Sequence, residues 1–365
     1  MISPRIRELA DTIQPLFNDQ AAQALTDFWA SIPTLPGSFG RLEDFAKHVA
    51  MVRNETLPAS DRLGLYVFCA EHAIAAEPVG VEGSPGTRRD LASFLRGTSP
   101  ASILAREFGI ERVVVDCGLV GEPEQGTHVY RVCEGAIDFA LGPALTEDQL
   151  NTALEIGVSL AEDAAQRFDC VGIAQLGSGA TVAASAVLGT LTGRTPMEIT
   201  YLDDVLDQDS VATRRIAIQQ GFARHQLEAI SPLAAVRSFG GVDLAVMTGF
   251  LLAAASARLP VFVDGFCGAV AALAARSVAP DSLDAVMFPG CSNDPAWLIA
   301  LETLGVTPLL QLEATEGAGF HAVLALHLVA SLLQAARLLA PSLSTPAPAT
   351  RINSPLPPES SVYAR

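Results

Sequence analysis

One carboxylate near the C-terminal end of the chain has the setting of a general base. Glu316 is followed by Gly317 and Gly319 and stands directly before a long apolar segment, 319–339, that predicts a buried helix. Glycine flanks allow a ligand to approach the backbone, and burial among apolar residues raises the pKa of a carboxyl group toward neutrality. Such a group can take a proton from a substrate. The alternative interpretation is that Glu316 only caps the helix.

A second candidate site is a glycine-rich loop with the sequence QLGSGAT at 175–181. It follows a predicted strand and opens a predicted helix, so Gly177 and Gly179 let the backbone approach a ligand and the helix N-terminus favours an anion. The loop is also a partial match to the glycine fingerprint of dinucleotide-binding oxidoreductases, with Glu198 as the ribose ligand. Its place after the third predicted strand argues against that interpretation, and a simple tight turn is the third alternative.

Other polar residues stand where predicted elements begin or end. Asp264 and Gly265 end one strand, His72 follows another, and Asp243 is placed to be the N-cap of a helix. A single histidine at a strand end is more often a hydrogen-bonded structural residue than a ligand. No set of His, Cys and carboxylate residues has metal-ligand spacing, and no serine-hydrolase motif is found, so the sequence predicts neither a metal nor a cofactor.

The charge of the chain excludes several classes of partner. With 23 Lys and Arg against 40 Asp and Glu, the formal net charge is −17, which repels nucleic acid and anionic membrane surfaces. A phosphate bound here must be met locally, by backbone N–H groups or a few basic side chains. The cysteines are scattered and the N-terminus lacks the apolar core of a signal peptide, so a cytoplasmic location is predicted.

The elements that position these residues alternate between strand and helix. Short apolar, β-branched runs predict strands buried on both faces, at 65–69, 112–116, 170–174, 260–264 and 284–288. Helical patterns lie around them, at 4–32, 41–52, 88–108, 147–167, 180–192, 211–223, 243–258, 267–277, 294–304 and 319–339. This order predicts an α/β fold, with a parallel sheet covered by helices on both faces and ligands beyond the carboxyl ends of the strands.

Five segments together resemble the nicotinate-nucleotide:dimethylbenzimidazole phosphoribosyltransferase family. They occur in the family's order: PGSFGRLE at 36–43, GPALT at 142–146, GGVDLAVMTG at 240–249, LPVFVDGF at 259–266 and EGAG at 316–319. The similarity extends from about residue 30 to residue 340. The chain is therefore identified as a divergent member of this family.

The resemblance implies a fold, a reaction and an assembly. The implied fold is a Rossmann-like α/β domain (61–305) with a small helical domain built from both chain ends. The N-terminal part of that domain is 1–60, the catalytic glutamate segment and closing helix are 306–340, and a disordered tail is 341–365. The implied reaction moves ribose 5-phosphate from nicotinate mononucleotide to dimethylbenzimidazole or a related heterocycle, giving alpha-ribazole phosphate for cobalamin lower-ligand synthesis. Glu316 falls on the general base, no cofactor is required, and a homodimer is expected.

The family's substrate-binding positions are partly altered in this chain. By resemblance, the predicted substrate contacts are Gln175, Gly177, Ser178, Gly179, Thr181, Asp264, Gly265, Ser292, Gly317, Glu82 and Arg89. Gln175 replaces a glutamate, Asp209 stands where the family has a lysine, and the element at 289–294 lacks its histidine. Glu82 and Arg89 fall in the segment that normally contacts the acceptor ring. The scaffold is thus predicted to be retained with an altered pocket lining, and another azole or a purine is a possible acceptor.

Two functions of different class follow from these residues. The first is a working transferase with Glu316 as its base. The second is a non-catalytic paralogue that binds a nucleotide or base, which the loss of polar residues from three site elements suggests. The retained Glu-Gly-x-Gly element favours the enzyme, because it would be free to change in an inactive protein.

Overall fold

A six-stranded parallel sheet forms the centre of the molecule. The computed structural model describes residues 2–17, 19–32, 34, 37–74, 84–202, 208–225 and 231–340. The strands are β1 (Leu63–Ala70), β2 (Glu111–Gly118), β3 (His128–Val129), β4 (Cys170–Leu176), β5 (Val261–Val263) and β6 (Val286–Met287). They lie in the order β3-β2-β1-β4-β5-β6, and each neighbouring pair is parallel. The strand order reverses between β1 and β4, and sheets of this kind bind ligands beside such a reversal.

Helices cover both faces of the sheet. Within the described residues they are α1 (Pro4–Thr12), α2 (Asp19–Ser31), α3 (Arg41–Arg53), α4 (Pro85–Arg96), α5 (Pro100–Glu107), α6 (Glu147–Arg167), α7 (Ala180–Thr192), α8 (Pro196–Ile199), α9 (Gln208–His225), α10 (Pro232–Ala235), α11 (Gly241–Ser256), α12 (Gly265–Val278), α13 (Pro295–Leu304) and α14 (Phe320–Leu339). A π-helical turn at Val236–Gly240 joins α10 to α11, and a 3-10 turn at Pro280–Ala285 precedes β6.

The sheet separates two apolar cores. Tyr66 and Phe68 of β1 point into the core formed with α6, α7, α11 and α12, whereas Leu65 and Val67 point into the core formed with α3, α4, α5 and α14. Every residue of β1 is buried. Alternate side chains of a strand project to opposite faces, so an unbroken apolar run is what a strand buried on both faces requires.

Helix α11 packs very closely against α6. A Cβ atom at Gly249 would lie 2.1 Å from the carbonyl oxygen of Leu154, so only glycine fits at this contact. All but the last residue of α11 are buried. The close approach fixes α11 beneath the sheet, and the start of α11 then lies beside the carboxyl end of β1.

The sequence predicted most of these elements. All five predicted strands are present, and the α/β fold with a parallel sheet is confirmed. The sixth strand, β3, was missed because it has only two residues, both exposed. The predicted helix at 88–108 is two helices, α4 and α5, divided at Gly97 in a left-handed conformation. The predicted helix at 4–32 is likewise divided into α1 and α2.

The chain ends pack on different parts of the fold. α3 lies against α14, and α1 lies against α11 and α6. The division into 1–60, 61–305 and 306–340 stays a prediction, and the tail at 341–365 is outside the described residues. Two helices, Pro232–Ser256 and Phe320–Leu339, are long and apolar enough to cross a membrane. The most apolar stretch of the first is buried throughout, half of that of the second is buried, and both helices pack on the sheet.

Candidate active site

A pocket of about 130 Å³ opens at the carboxyl ends of β4 and β5. Five segments meet there: the loop from β4 to α7, the residues after α8, the turn from β5 to α12, the start of α13 and the loop before α14. The lining residues are Ala174, Gln175, Thr181, Tyr201, Asp264, Gly265, Phe266, Cys267, Trp297, Thr315, Glu316, Gly317, Ala318 and Gly319. Six residues predicted from the sequence therefore share one pocket: Gln175, Thr181, Asp264, Gly265, Glu316 and Gly317.

The loop after β4 is held tightly against β1. Gly177 has φ 151°, and a Cβ atom there would lie 1.7 Å from the carbonyl oxygen of Ala70, so no larger residue fits. The Ser178 carbonyl accepts the N–H of His72 at 3.0 Å, and the Ser178 N–H donates to the Thr87 hydroxyl at 2.9 Å. Gly179, with φ 83°, is the N-cap of α7. Both glycines are therefore required by the backbone path, whether or not they also contact a ligand.

A buried histidine–carboxylate pair lies next to this loop, because the histidine, His72, is the residue whose N–H binds the Ser178 carbonyl. His72 Nε2 lies 3.1 Å from Asp243 Oδ1, and the two side chains are 2% and 0% exposed. The prediction that Asp243 is an N-cap is wrong, because Gly240 is the N-cap of α11 and Asp243 lies within the first turn of that helix. His72 is the hydrogen-bonded structural residue that its strand-end position indicated.

Asp264 connects the end of β5 to the start of α14. Its Oδ2 accepts the backbone N–H groups of His321 at 3.0 Å and Ala322 at 3.3 Å. Its Oδ1 lies 3.3 Å from Nδ1 of the buried His321, within ion-pair distance, although no hydrogen bond joins those two atoms. Because α14 begins shortly after Glu316, this contact fixes the position of the Glu316 loop relative to the sheet.

Glu316 itself is exposed. The prediction that it is buried among apolar residues is therefore wrong. The helix-cap interpretation is not supported either, since Gly319 is the N-cap of α14 and Asp264 receives the first N–H groups of that helix. Glu316 lines the pocket from a loop in which the non-glycine Ala318 has φ 53°.

The apolar wall of the pocket was not found from the sequence. Tyr201 stacks on Phe266 with ring centroids 5.0 Å apart and an interplanar angle of 21°, and Trp297 lies on the same pocket. Burial raises the pKa of the Cys267 thiol far above its usual range, so this thiol is a neutral part of the wall. Aromatic residues make up only 6% of the chain, so the presence of three of them in one pocket marks this wall as a ring-binding surface once the structure is known. They come from three distant segments, which no local motif joins.

Two helix N-termini face the pocket. α7 and α12 both begin at the pocket, and neither has a side-chain cap of its own. Unpaired N–H groups and the helix dipole make such ends favourable to anions. Asp209, which stands where the family has a lysine, is exposed at the start of α9. Arg214 on the same helix donates from Nη1 to the carbonyl oxygen of Tyr201 at 3.4 Å, which brings a cation to the pocket edge.

A second cavity of about 200 Å³ lies on the other side of the β4 loop. Gly177 and Ser178 line it together with Leu176 and residues of the first turns of α4. The predicted contacts Gly177 and Ser178 therefore line the second cavity and not the pocket that contains Glu316. Gln175 lines the pocket with Glu316, and the next residue, Leu176, lines the second cavity. The segment 175–178 thus forms a wall of both cavities.

The other predicted substrate contacts do not line the pocket that contains Glu316, or lie outside the described residues. Ser292 is buried, its Oγ accepts the N–H of Asp294 at 3.2 Å, and it does not line the pocket. Arg89 is 78% exposed on α4 and pairs with Asp90 through Nε at 2.9 Å. Glu82 lies outside the described residues. No group of His, Cys, Asp and Glu side chains that could hold a metal ion occurs within the described part of the chain.

Glu198 is not placed to bind a ribose. It forms a capping box with Thr195 at the start of the four-residue helix α8, and it is exposed. The β4 loop follows the fourth strand in chain order rather than the first. The dinucleotide-binding interpretation is therefore wrong, and comparisons with known proteins give the class that replaces it.

The phosphoribosyltransferase family model DBI_PRT matches residues 14–343. The chain therefore belongs to this phosphoribosyltransferase family. It is a nicotinate-nucleotide–dimethylbenzimidazole phosphoribosyltransferase-like enzyme of the CobT type, in the cobalamin-biosynthesis class.

Individual relatives agree with the family. The chain is 34% identical over 301 residues to the nicotinate-nucleotide–dimethylbenzimidazole phosphoribosyltransferase of Solidesulfovibrio magneticus, covering 81% of this chain and 85% of that protein. It is 30% identical over 332 residues to the enzyme of the same name from Cupriavidus necator, covering 90% and 93%. The crystal structure of CobT from Thermus thermophilus superimposes with a TM-score of 0.78 at 29% identity, covering 88% and 96%.

Proposed function

We propose that the enzyme transfers the phosphoribosyl group of nicotinate mononucleotide to a nitrogen heterocycle of the benzimidazole type and releases nicotinate. Glu316 is the proposed general base. The observation that carries this proposal is the meeting, in one pocket, of a carboxylate on a glycine-flanked loop, an aromatic wall and the N-termini of two helices. These are the groups that a proton transfer, a flat ring and a phosphate need.

The donor phosphate is proposed to bind at the start of α12. Gly265 has φ 84°, and the space where its Cβ atom would be is open, so a phosphate oxygen can approach the backbone N–H groups there. The net charge of the chain is unfavourable for a phosphate at long range. Local donors must therefore supply the attraction, and Arg214 at the pocket edge adds the charge that Asp209 does not.

The flat rings are proposed to bind against the aromatic wall. The stacked Tyr201 and Phe266 present ring faces and edges, and offset stacking of aromatic groups contributes about 0.5–1.5 kcal/mol beyond area burial. The pyridine ring of the donor is cationic until it leaves, and aromatic faces attract cations. Trp297 adds a third ring on the same pocket.

The chemistry requires one proton transfer. One ring nitrogen of the acceptor attacks C1′ of the ribose, and the bond from C1′ to the pyridine nitrogen breaks with its electron pair passing to nicotinate. The proton on the other acceptor nitrogen passes to the Glu316 carboxylate. Since the leaving ring already carries positive charge, its departure needs no acid. Positioning of the two rings by the rigid pocket wall supplies much of the remaining rate enhancement.

The test is nicotinate release from nicotinate mononucleotide with and without dimethylbenzimidazole, in the native enzyme and in Glu316→Gln. Release that depends on acceptor and is lost in the variant supports the proposal. Binding of the donor without release, across a panel of heterocycles, would instead favour the non-catalytic paralogue. The homodimer and the cytoplasmic location stay predictions, and sedimentation velocity of the purified protein tests the first.

A further inference from the structure

The loop at 311–319, which carries Glu316, starts from a short backbone pairing. The Leu310 N–H donates to the carbonyl oxygen of Pro289 at 2.9 Å, and Leu310 forms a parallel bridge with Gly290. The start of the loop is thereby fixed on the segment that precedes α13.

His321, in the first turn of α14, fills the space beside that pairing. A Cβ atom at Gly290 would lie 2.3 Å from Cδ2 of His321, so the imidazole occupies the space that a side chain at position 290 would take. The His321 side chain is fully buried. Gly290 is paired with the start of the Glu316 loop, and His321 comes directly after its end. The imidazole therefore joins the two ends of this loop.

The same imidazole lies against two residues that line the pocket. Its Nδ1 is 3.3 Å from Oδ1 of Asp264, and the Trp297 ring stands nearly perpendicular to it, with centroids 6.2 Å apart. Asp264 is at the end of β5 and Trp297 is in the first turns of α13. Both residues line the pocket that contains Glu316. One buried ring thus connects the aromatic wall, the anchor of α14 and the Glu316 loop.

The nitrogen atoms of His321 provide what an apolar ring could not. Both are buried, and neither has a hydrogen-bond partner among the described residues. Burying them in this way is unfavourable, so packing alone would favour an apolar side chain at this position. Asp264 is also buried, and within the described part of the chain His321 is the one basic side chain at ion-pair distance from it. A protonated imidazole gives this buried carboxylate the opposite charge that it requires.

We infer that His321 is a positioning residue for the proposed reaction, because it closes the loop that carries Glu316 and so holds that carboxylate at the acceptor proton. This inference rests on the proposed function, in which Glu316 is the base. His321 does not line the pocket, so it acts through Asp264 and the loop rather than on a substrate. A displacement of about 1 Å can lower a rate by about 100-fold. Loss of the closure therefore lowers kcat, while the helix ends that are proposed to bind the donor are unaffected.

The first experiment measures kcat and KM of nicotinate release in variants that separate the volume of His321 from its nitrogens. His321→Phe keeps a ring and removes both nitrogens, whereas His321→Asn keeps a nitrogen near the place of Nδ1. We expect kcat to fall by about 10- to 100-fold in His321→Phe and by less in His321→Asn, with KM for the donor within about 3-fold in both. His327→Phe is the matched control, since His327 stacks on Phe108 further along α14, and it should retain native kcat.

The second experiment moves the imidazole to the opposite side of the contact. Gly290 does not have a positive φ, so a side chain is allowed there once the His321 ring is removed. We expect Gly290→His combined with His321→Ala to exceed the kcat of His321→Ala alone by about 10-fold. Gly290→Leu combined with His321→Ala restores volume without nitrogens and should give no such recovery. Urea unfolding shows that each variant is folded, and the double variants decide the question if His321→Phe does not fold.

The outcomes separate this inference from the proposed function. Native kcat in His321→Phe, or equal recovery with leucine and histidine at position 290, would overturn the inference, because volume alone would then be sufficient. A rise in KM for the donor as large as the fall in kcat would also overturn it, since the whole pocket would then be disturbed. Each of these results leaves the proposed function standing. Absence of nicotinate release from the native protein with every acceptor would overturn the proposed function, and the inference with it.

Discussion

The Asp264 carboxylate accepts the backbone N–H of His321 at 3.0 Å and so ties the end of β5 to the first turn of α14. Asp264 is 3% exposed and His321 is 0% exposed. The loop that carries Glu316 ends at this turn. A residue first identified as a substrate contact is therefore also the anchor of the proposed catalytic loop, and its effect on the reaction passes through the position of Glu316.

Replacement of Asp264 should lower kcat much more than it changes the KM for the donor. In Asp264→Asn the charge that holds the start of α14 is removed, and we expect kcat to fall by about 10- to 100-fold because the Glu316 loop is displaced. KM for the donor should change much less. Steady-state kinetics and hydrogen exchange at 316–322 measure the two effects. A variant with native kcat and unchanged exchange at these residues would contradict the anchoring role.

Glu316→Gln should abolish most of the turnover while leaving the protein folded. General-base catalysis contributes about 10²- to 10⁴-fold, and we expect kcat to fall by that amount. Donor affinity, measured by calorimetry, should remain within about 3-fold. Glu313→Gln is the control, since Glu313 is exposed in the same loop and does not line the pocket. Equal activity of the two variants would remove Glu316 from the mechanism.

Arg214 should matter for the phosphate of the donor. Loss of one charge-assisted contact costs about 1.5–3 kcal/mol, so Arg214→Ala is expected to raise KM for nicotinate mononucleotide by about 10- to 150-fold. Arg214→Lys should restore part of this, and the dephosphorylated nucleoside should not distinguish the variants. Arg224→Ala, an exposed arginine at the end of the same helix, is the control. An unchanged KM in Arg214→Ala would show that helix ends alone bind the phosphate.

The stacked pair on the pocket wall should contribute through its rings rather than through its hydroxyl group. Tyr201→Ala removes the stack on Phe266, and we expect KM to rise by about 2- to 10-fold, the value of one aromatic pair. Tyr201→Phe retains the stack and should be nearly native. Should Tyr201→Phe be as impaired as Tyr201→Ala, the hydroxyl group and not the ring would be the important feature.

The carboxylate of Asp169 should make the free energy of unfolding decrease at acidic pH. Asp169 precedes β4, and it accepts hydrogen bonds from the Arg62 guanidinium and from the N–H groups of Asp61 and Arg62, before β1. Burial opposes ionisation, but the Arg62 contacts outweigh it and lower the pKa of Asp169. A lowered pKa means that this stabilisation is present above the unfolded value of about 3.9 and is lost as pH falls through the folded value.

Urea unfolding at pH 7 and at acidic pH measures this dependence. Asp169→Asn should lower the free energy of unfolding at pH 7 by about 1.5–3 kcal/mol and flatten its decline in acid. Asp163→Asn is the control, since Asp163 pairs with Arg167 on the exposed face of α6 and should contribute less than about 0.5 kcal/mol. A parallel acid decline in native protein and Asp169→Asn would assign the acid sensitivity to other carboxylates.

The helix and strand pattern was predictable because it is local. The apolar run of β1 and the capping box of Thr146 with Gln149 at the start of α6 each lie within a few residues of sequence. The predicted helices at 147–167 and 180–192 coincide with α6 and α7 for the same reason. The short strand β3 has no such pattern, since pairing with β2 alone makes it a strand.

The sequence by itself determined the α/β class, the family and the approximate place of the site, because glycine-rich loops, strand ends and collinear motifs are short-range features. The tertiary structure alone decided what each residue does there. In it Glu316 is exposed, Asp264 anchors the start of α14, and Asp243 pairs with His72 instead of being the N-cap of α11. It also brought Tyr201, Phe266 and Trp297 onto one pocket. Burial, pairing and cavity shape depend on residues far apart in the chain, and only packing around the sheet brings them together.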